Sequence, residues 1–125
     1  MSRVPVHIVS GAPASGKSAL IGRLVEQRSD WLGLVNALPS RETDNLKRLS
    51  GGCPCCIGKL VLQMALVRGL RATNATRALI EFSNGAHVAT FERLLGDPPL
   101  SRSVVLARTI VLPEDAGMSI RDFDV

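Results

Sequence analysis

Two groups of residues have the types and spacing for chemistry. The first is Gly11-Ala12-Pro13-Ala14-Ser15-Gly16-Lys17-Ser18, a glycine, four residues, then Gly-Lys-Ser. This is the phosphate-loop (Walker A) pattern, and each part has a physical task. Gly11 and Gly16 let the backbone wrap closely around phosphate oxygens. The amides from about Ala14 to Ser18 form a nest for anions, and the following helix adds the partial positive charge of its N-terminus. Lys17 reaches the outer phosphates and the Ser18 hydroxyl is a ligand for Mg²⁺. The binding stretch runs from Gly11 to Ala19.

The second group is Cys53-Pro54-Cys55-Cys56, which holds all three cysteines of the chain. Thiolates suit Zn²⁺ and other soft or borderline metals. Three cysteines leave a four-coordinate site one ligand short. His87 is a candidate for that place, and equally a surface or helix-start residue. His7 lies inside a predicted strand and reads as core. A redox-sensitive or simply buried cysteine cluster is the bland alternative. A nucleotide site also needs an acidic residue for Mg²⁺, and Glu81 is the best candidate. It ends an apolar run, where ligands gather in open α/β sheets.

The elements that must position these groups follow from periodicity. Val4 to Val9 is rich in β-branched residues and reads as a buried strand ahead of the loop. From Lys17 to about Arg28 the pattern becomes helical, with Leu20, Ile21, Leu24 and Val25 on one face. Trp31 to Leu38 reads as a strand, and Ser40 to Gly52 as a long polar connection with a short helix at most. A helix is predicted from about Ile57 to Leu70, a buried strand over Arg77 to Phe82, a short helix around Val88 to Leu95, and a last strand over Ser103 to Leu112. Strands alternating with helices predict a three-layer α/β domain over residues 1–112 with a mostly parallel sheet of about four strands. Residues 113–125 are acidic and poor in apolar residues, and read as a C-terminal tail.

Composition narrows the classes. The chain has 125 residues, which bounds it to one domain. Aromatic residues make up only 3%, so the core must be aliphatic and no stacking platform for single-stranded nucleic acid is expected. The net charge is +4, but lysines and arginines are scattered without a run, which disfavours nucleic acid as a partner. No apolar run is long enough to span a membrane, and the first residues lack a signal-peptide core. The cytoplasm is the expected location, and clustered thiols there point to a metal or reactive site instead of a disulfide framework.

Taken together, Val4-Pro5-Val6, the phosphate loop, Gly52-Cys53-Pro54-Cys55-Cys56 and Ile80-Glu81 resemble, in order and spacing, the CobW-type P-loop GTPases. These are metal-handling proteins related to the hydrogenase and urease nickel chaperones. The resemblance covers roughly Val4 to Leu112. It implies a shortened P-loop NTPase-like domain that binds GTP with Mg²⁺ and handles zinc or cobalt at Cys53, Cys55 and Cys56. It implies Lys17, Ser18 and Glu81 as the nucleotide and Mg²⁺ residues, and it places Asp44 where a switch-region acid is expected. A client metalloprotein is the partner the resemblance implies, and a homodimer is a further expectation, because a shortened sheet leaves an open edge to be covered.

The sequence also departs from the family. Asn36 is followed by Ala37 where members carry Glu. Glu81-Phe82-Ser83 is followed by Asn84, with Gly85 one place late for a Glu-x-x-Gly turn. No Asn-Lys-x-Asp motif occurs, so ATP stays open beside GTP, and the family's C-terminal domain is not represented. These departures make weak hydrolysis the expectation. They also keep a non-catalytic metal-binding or regulatory protein as an alternative. A small-molecule kinase is a second alternative, disfavoured by the cysteines.

Overall fold

The computed structural model describes residues 3–11, 16–35, 43–48, 59–82, 88–98 and 100–112. Strand β1 spans Val4–Gly11 and is followed by helix α1, Lys17–Gln27. Next come β2, Trp31–Val35, and β3, Leu46–Arg48. Helix α2, Lys59–Thr73, leads to β4, Arg77–Glu81. Helix α3, Val88–Leu95, and a 3₁₀ turn, Leu100–Arg102, lead to β5, Val104–Leu112.

The five strands form one sheet in the order β3-β2-β4-β1-β5, and every pairing is parallel. The α/β class with a parallel sheet is therefore as expected. The strand number is a correction, because β3 lies in the stretch read as a polar connection. It pairs Gly33 with Leu46 and Val35 with Arg48. Only Leu46 of its three residues is buried, so it has no alternation long enough to detect.

Helices cover both faces because successive strand side chains point to opposite sides. On one face Val6 and Ile8 of β1, Leu32 and Leu34 of β2, and Ala78 and Ile80 of β4 pack with Leu66 of α2 and Phe91 and Leu95 of α3. On the other face Val9, Trp31, Val35, Leu79 and Ile110 pack with Leu20, Ile21, Leu24 and Val25 of α1. These clusters are almost wholly aliphatic, as the composition requires. Full burial of each Leu, Ile or Val contributes about 1.5–3 kcal/mol relative to exposure.

Helix and sheet approach closely at two glycines. A Cβ on Gly33 would lie 2.7 Å from Ile21 Cγ2, so α1 can settle onto β2 only there. A Cβ on Gly69 would lie 2.7 Å from Leu32 Cδ2 on the opposite face. Among the described residues, no helix is long and apolar enough to cross a membrane.

Candidate functional site

The site forms where β1 and β4 end side by side. Their parallel register pairs Val9 with Glu81, and the Phe82 amide then donates to the Val9 carbonyl at 2.8 Å. Phe82 is buried, its ring 5.0 Å from that of Phe91, so the chain just past Glu81 is anchored in the core. Glu81 is thereby held beside the end of β1. A crevice at the C-terminal ends of parallel strands, with helices leaving to both faces, is where α/β sheets gather ligands.

Gly16 caps α1 in the left-handed conformation, with φ of 79° and ψ of 27°. A Cβ there would meet nothing within 4 Å, so glycine is required for its backbone angle and not for space. The helix begins with no side-chain cap and no acidic residue in its first turn. Its amide end therefore keeps its partial positive charge, the arrangement that favours an anion.

Three polar side chains meet here. Ser18 Oγ donates to Glu81 Oε1 at 2.5 Å. Lys17 Nζ donates to the Gly11 carbonyl at 3.0 Å, which brings the ammonium to the last residue of β1. Lys17 and Glu81 are only 4% and 6% exposed, so a basic and an acidic side chain are both buried near the end of β1. Electrostatic interactions are stronger there than at an open surface. Ser10, at the end of β1, is also buried.

Other residues singled out in the sequence fall elsewhere. Asp44 is not brought to this cluster. It lies in the exposed turn before β3, and its neighbour Asn45 donates through Nδ2 to the Val25 carbonyl at 2.9 Å. Val25 is near the last turn of α1, about 12 Å along the helix from Lys17 at its start. His7 is buried within β1, as its place in a strand implied, and accepts from Arg77 Nη1 at 2.7 Å through Nε2. An arginine can only donate, so the ring proton sits on Nδ1. Burial, then the nearby Arg77 and Arg108 charges, lower the His7 pKa to about 4. Ala12 to Ser15, Cys53, Cys55, Cys56 and His87 lie outside the described residues, as do Asn36 and the tail 113–125. Among the described residues, no group of three His, Cys, Asp or Glu side chains is placed to hold a metal.

Comparison with known proteins adds one relationship. The chain is similar to the zinc chaperone YeiR of Escherichia coli (strain K12). The two are 28% identical over 118 residues, covering 85% of this chain and 36% of that protein. The chain thus spans about a third of the length of the curated relative it matches. No family model and no solved structure matches.

Proposed function

We propose that this chain holds a nucleoside triphosphate, GTP before ATP, with Mg²⁺ where β1 and β4 end. Binding would be coupled, with weak hydrolysis at most, to the handling of zinc or cobalt by Cys53, Cys55 and Cys56. The observation that carries the nucleotide half is the Ser18–Glu81 hydrogen bond beside buried Lys17. It joins the phosphate-loop hydroxyl to an acid from a distant strand, the pair that a Mg²⁺-dependent phosphate site needs. The similarity to a zinc chaperone supports the metal half.

The residues present fit Mg²⁺, because a serine hydroxyl and a carboxylate are hard oxygen donors. When bound, the ion supplies charge neutralisation on the phosphate oxygens. The chain supplies the rest. Gly16 turns the loop so that the first amides of α1 face the phosphates. Lys17 exchanges the Gly11 carbonyl for phosphate oxygens and stabilises charge as water attacks the γ-phosphate. Ser18 and Glu81 are the oxygen donors that would hold the cation.

Topology also supports placing metal and nucleotide together. β3 is parallel to β1 and β4, so it ends at the same side of the sheet. Cys53 follows Arg48, the last residue of β3, by a length of chain that reaches under ~20 Å. β3 stands two strands, about 10 Å, from β4. The metal is cargo in this reading, held by thiolates whose arrangement responds to nucleotide.

One observation favours a second reading. Asp44, the residue expected to assist turnover, sits at the far end of α1 from Lys17. A non-catalytic regulatory protein would have this arrangement. Titration with labelled GTP and ATP, with and without Zn²⁺, followed by phosphate release, separates the two. GTP preference with turnover altered by zinc supports the coupled reading, and binding without turnover supports the regulatory one. No binding of either nucleotide sinks both.

A further inference from the structure

Among the described residues the sheet has two edges, β3 and β5, and they are unlike. β3 has three residues, of which Lys47 and Arg48 are exposed, and a short charged edge discourages pairing with another strand. β5 has nine residues and leaves Val105 38% and Val111 69% exposed. Its pairing with β1 is irregular at Ala107. Beyond that point, Arg108 to Leu112 runs in unbroken register beside His7 to Gly11. The outer backbone groups of this stretch are a template for one more strand.

The neighbours of this stretch settle its two faces. Ile110 packs with Val9 in the cluster under α1, and Arg108, two residues earlier, belongs to the same face and is exposed. Thr109 belongs to the other face, where its hydroxyl donates to Glu92 of α3, and Val111 shares that face. The sequence after β5 matches both faces. Pro113-Glu114-Asp115-Ala116-Gly117 has turn-forming residues and the length of a hairpin loop. Met118-Ser119-Ile120-Arg121-Asp122 follows. Folded back antiparallel, it sets Ile120 opposite Ile110 and Asp122 opposite Arg108 on the α1 face. On the α3 face it sets Arg121 opposite Thr109, beside Glu92. Cross-strand pairs of these kinds are favourable. A slip of one residue sets Arg121 against Arg108 or against Ile110, so charge selects the register.

We propose that the β5 edge is the docking site of the chain's own segment 118–122, which adds a sixth, antiparallel strand along 108–112. A short connection keeps the segment at a high effective concentration beside the edge, which favours it over a second copy of the chain. The segment then covers the longer of the two edges and leaves only the short, charged β3 open. The inference rests on β5 and the sequence that follows it, so it stands independently of the nucleotide reading.

Amide hydrogen exchange of the full chain, together with sedimentation velocity, tests this. A monomer is expected in which all amides over 108–112 are protected, instead of only the alternate ones that face β1. Ile120→Pro with Arg121→Pro removes two consecutive amides, one of which must face β5. It should speed exchange of the outward amides over 108–112 about tenfold or more. Asp122→Lys should speed it about threefold, and Asp124→Lys, past the paired stretch, should leave it unaltered. Amides of β4, inside the sheet, should not change in any variant, which separates loss of the strand from unfolding. Protection of alternate amides alone in the parent chain would overturn the proposal, as would full protection that survives the double proline variant. Equal effects of the two lysine variants would overturn the pairing of Asp122 with Arg108 on which it is built. A dimer whose β5 protection rises with concentration would assign the edge to a second copy and overturn it too.

Discussion

The Ser18 hydroxyl donates to Glu81 at 2.5 Å across 63 positions of sequence. The bond exists because β1 and β4 are adjacent and in register, Val9 against Glu81. It satisfies a carboxylate that would otherwise be costly to bury. In the proposed function these two residues would hold the cation together, so variants of either should report on the same site.

Lys17→Ala should lower nucleotide affinity about 10–100-fold, the value of a charge-assisted bond to phosphate. Glu81→Ala should leave Mg²⁺-free nucleotide binding nearly intact and remove most of the gain that Mg²⁺ confers. Calorimetric titration with and without Mg²⁺ reads both. An unchanged Mg²⁺ dependence in Glu81→Ala would exclude it as a cation ligand.

Cys55→Ser should weaken zinc binding by about tenfold or more, since a hydroxyl is a poor replacement for a thiolate at this metal. Nucleotide affinity in the absence of zinc should not change. Full zinc affinity in the variant, measured against a chromogenic chelator, would remove Cys55 from the site.

Gly33→Ala should destabilise the fold by about 1–3 kcal/mol. Its new methyl meets Ile21 Cγ2 at 2.7 Å, with Val25 and Leu46 at 3.2 Å closing the other sides. Ile21 is β-branched and stiff, so it cannot swing away. Gly69→Ala should be close to neutral. The clashing atom there is the end of the Leu32 side chain, and alanine adds about 1 kcal/mol of helix propensity. Urea midpoints of the two variants should therefore differ clearly, and equal losses would refute this packing.

Stability should fall as pH drops from 6.5 toward about 4, the unfolded and folded pKa values of His7. In that window the unfolded chain takes up a proton that the folded chain refuses, so protons favour unfolding. The loss from this group approaches about 3 kcal/mol at the lower end and levels off below it. His7→Leu should flatten the profile between those limits. If the variant keeps the same slope, carboxylates and not His7 set the acid sensitivity.

By itself the sequence determined the local chemistry. The Gly11-to-Ser18 sequence pattern, the strand before it and the helix after it are legible because their signals are spacing and periodicity within a few residues. Glu81 was visible as a strand-end acid. What only the tertiary structure decided is which distant residues meet. It set Ser18 against Glu81, carried Asp44 to the opposite end of α1, and added β3, whose single buried residue leaves no pattern to read. The reason is that strand order and register follow from burying two faces of one sheet at once, a condition on the whole chain that no local stretch encodes.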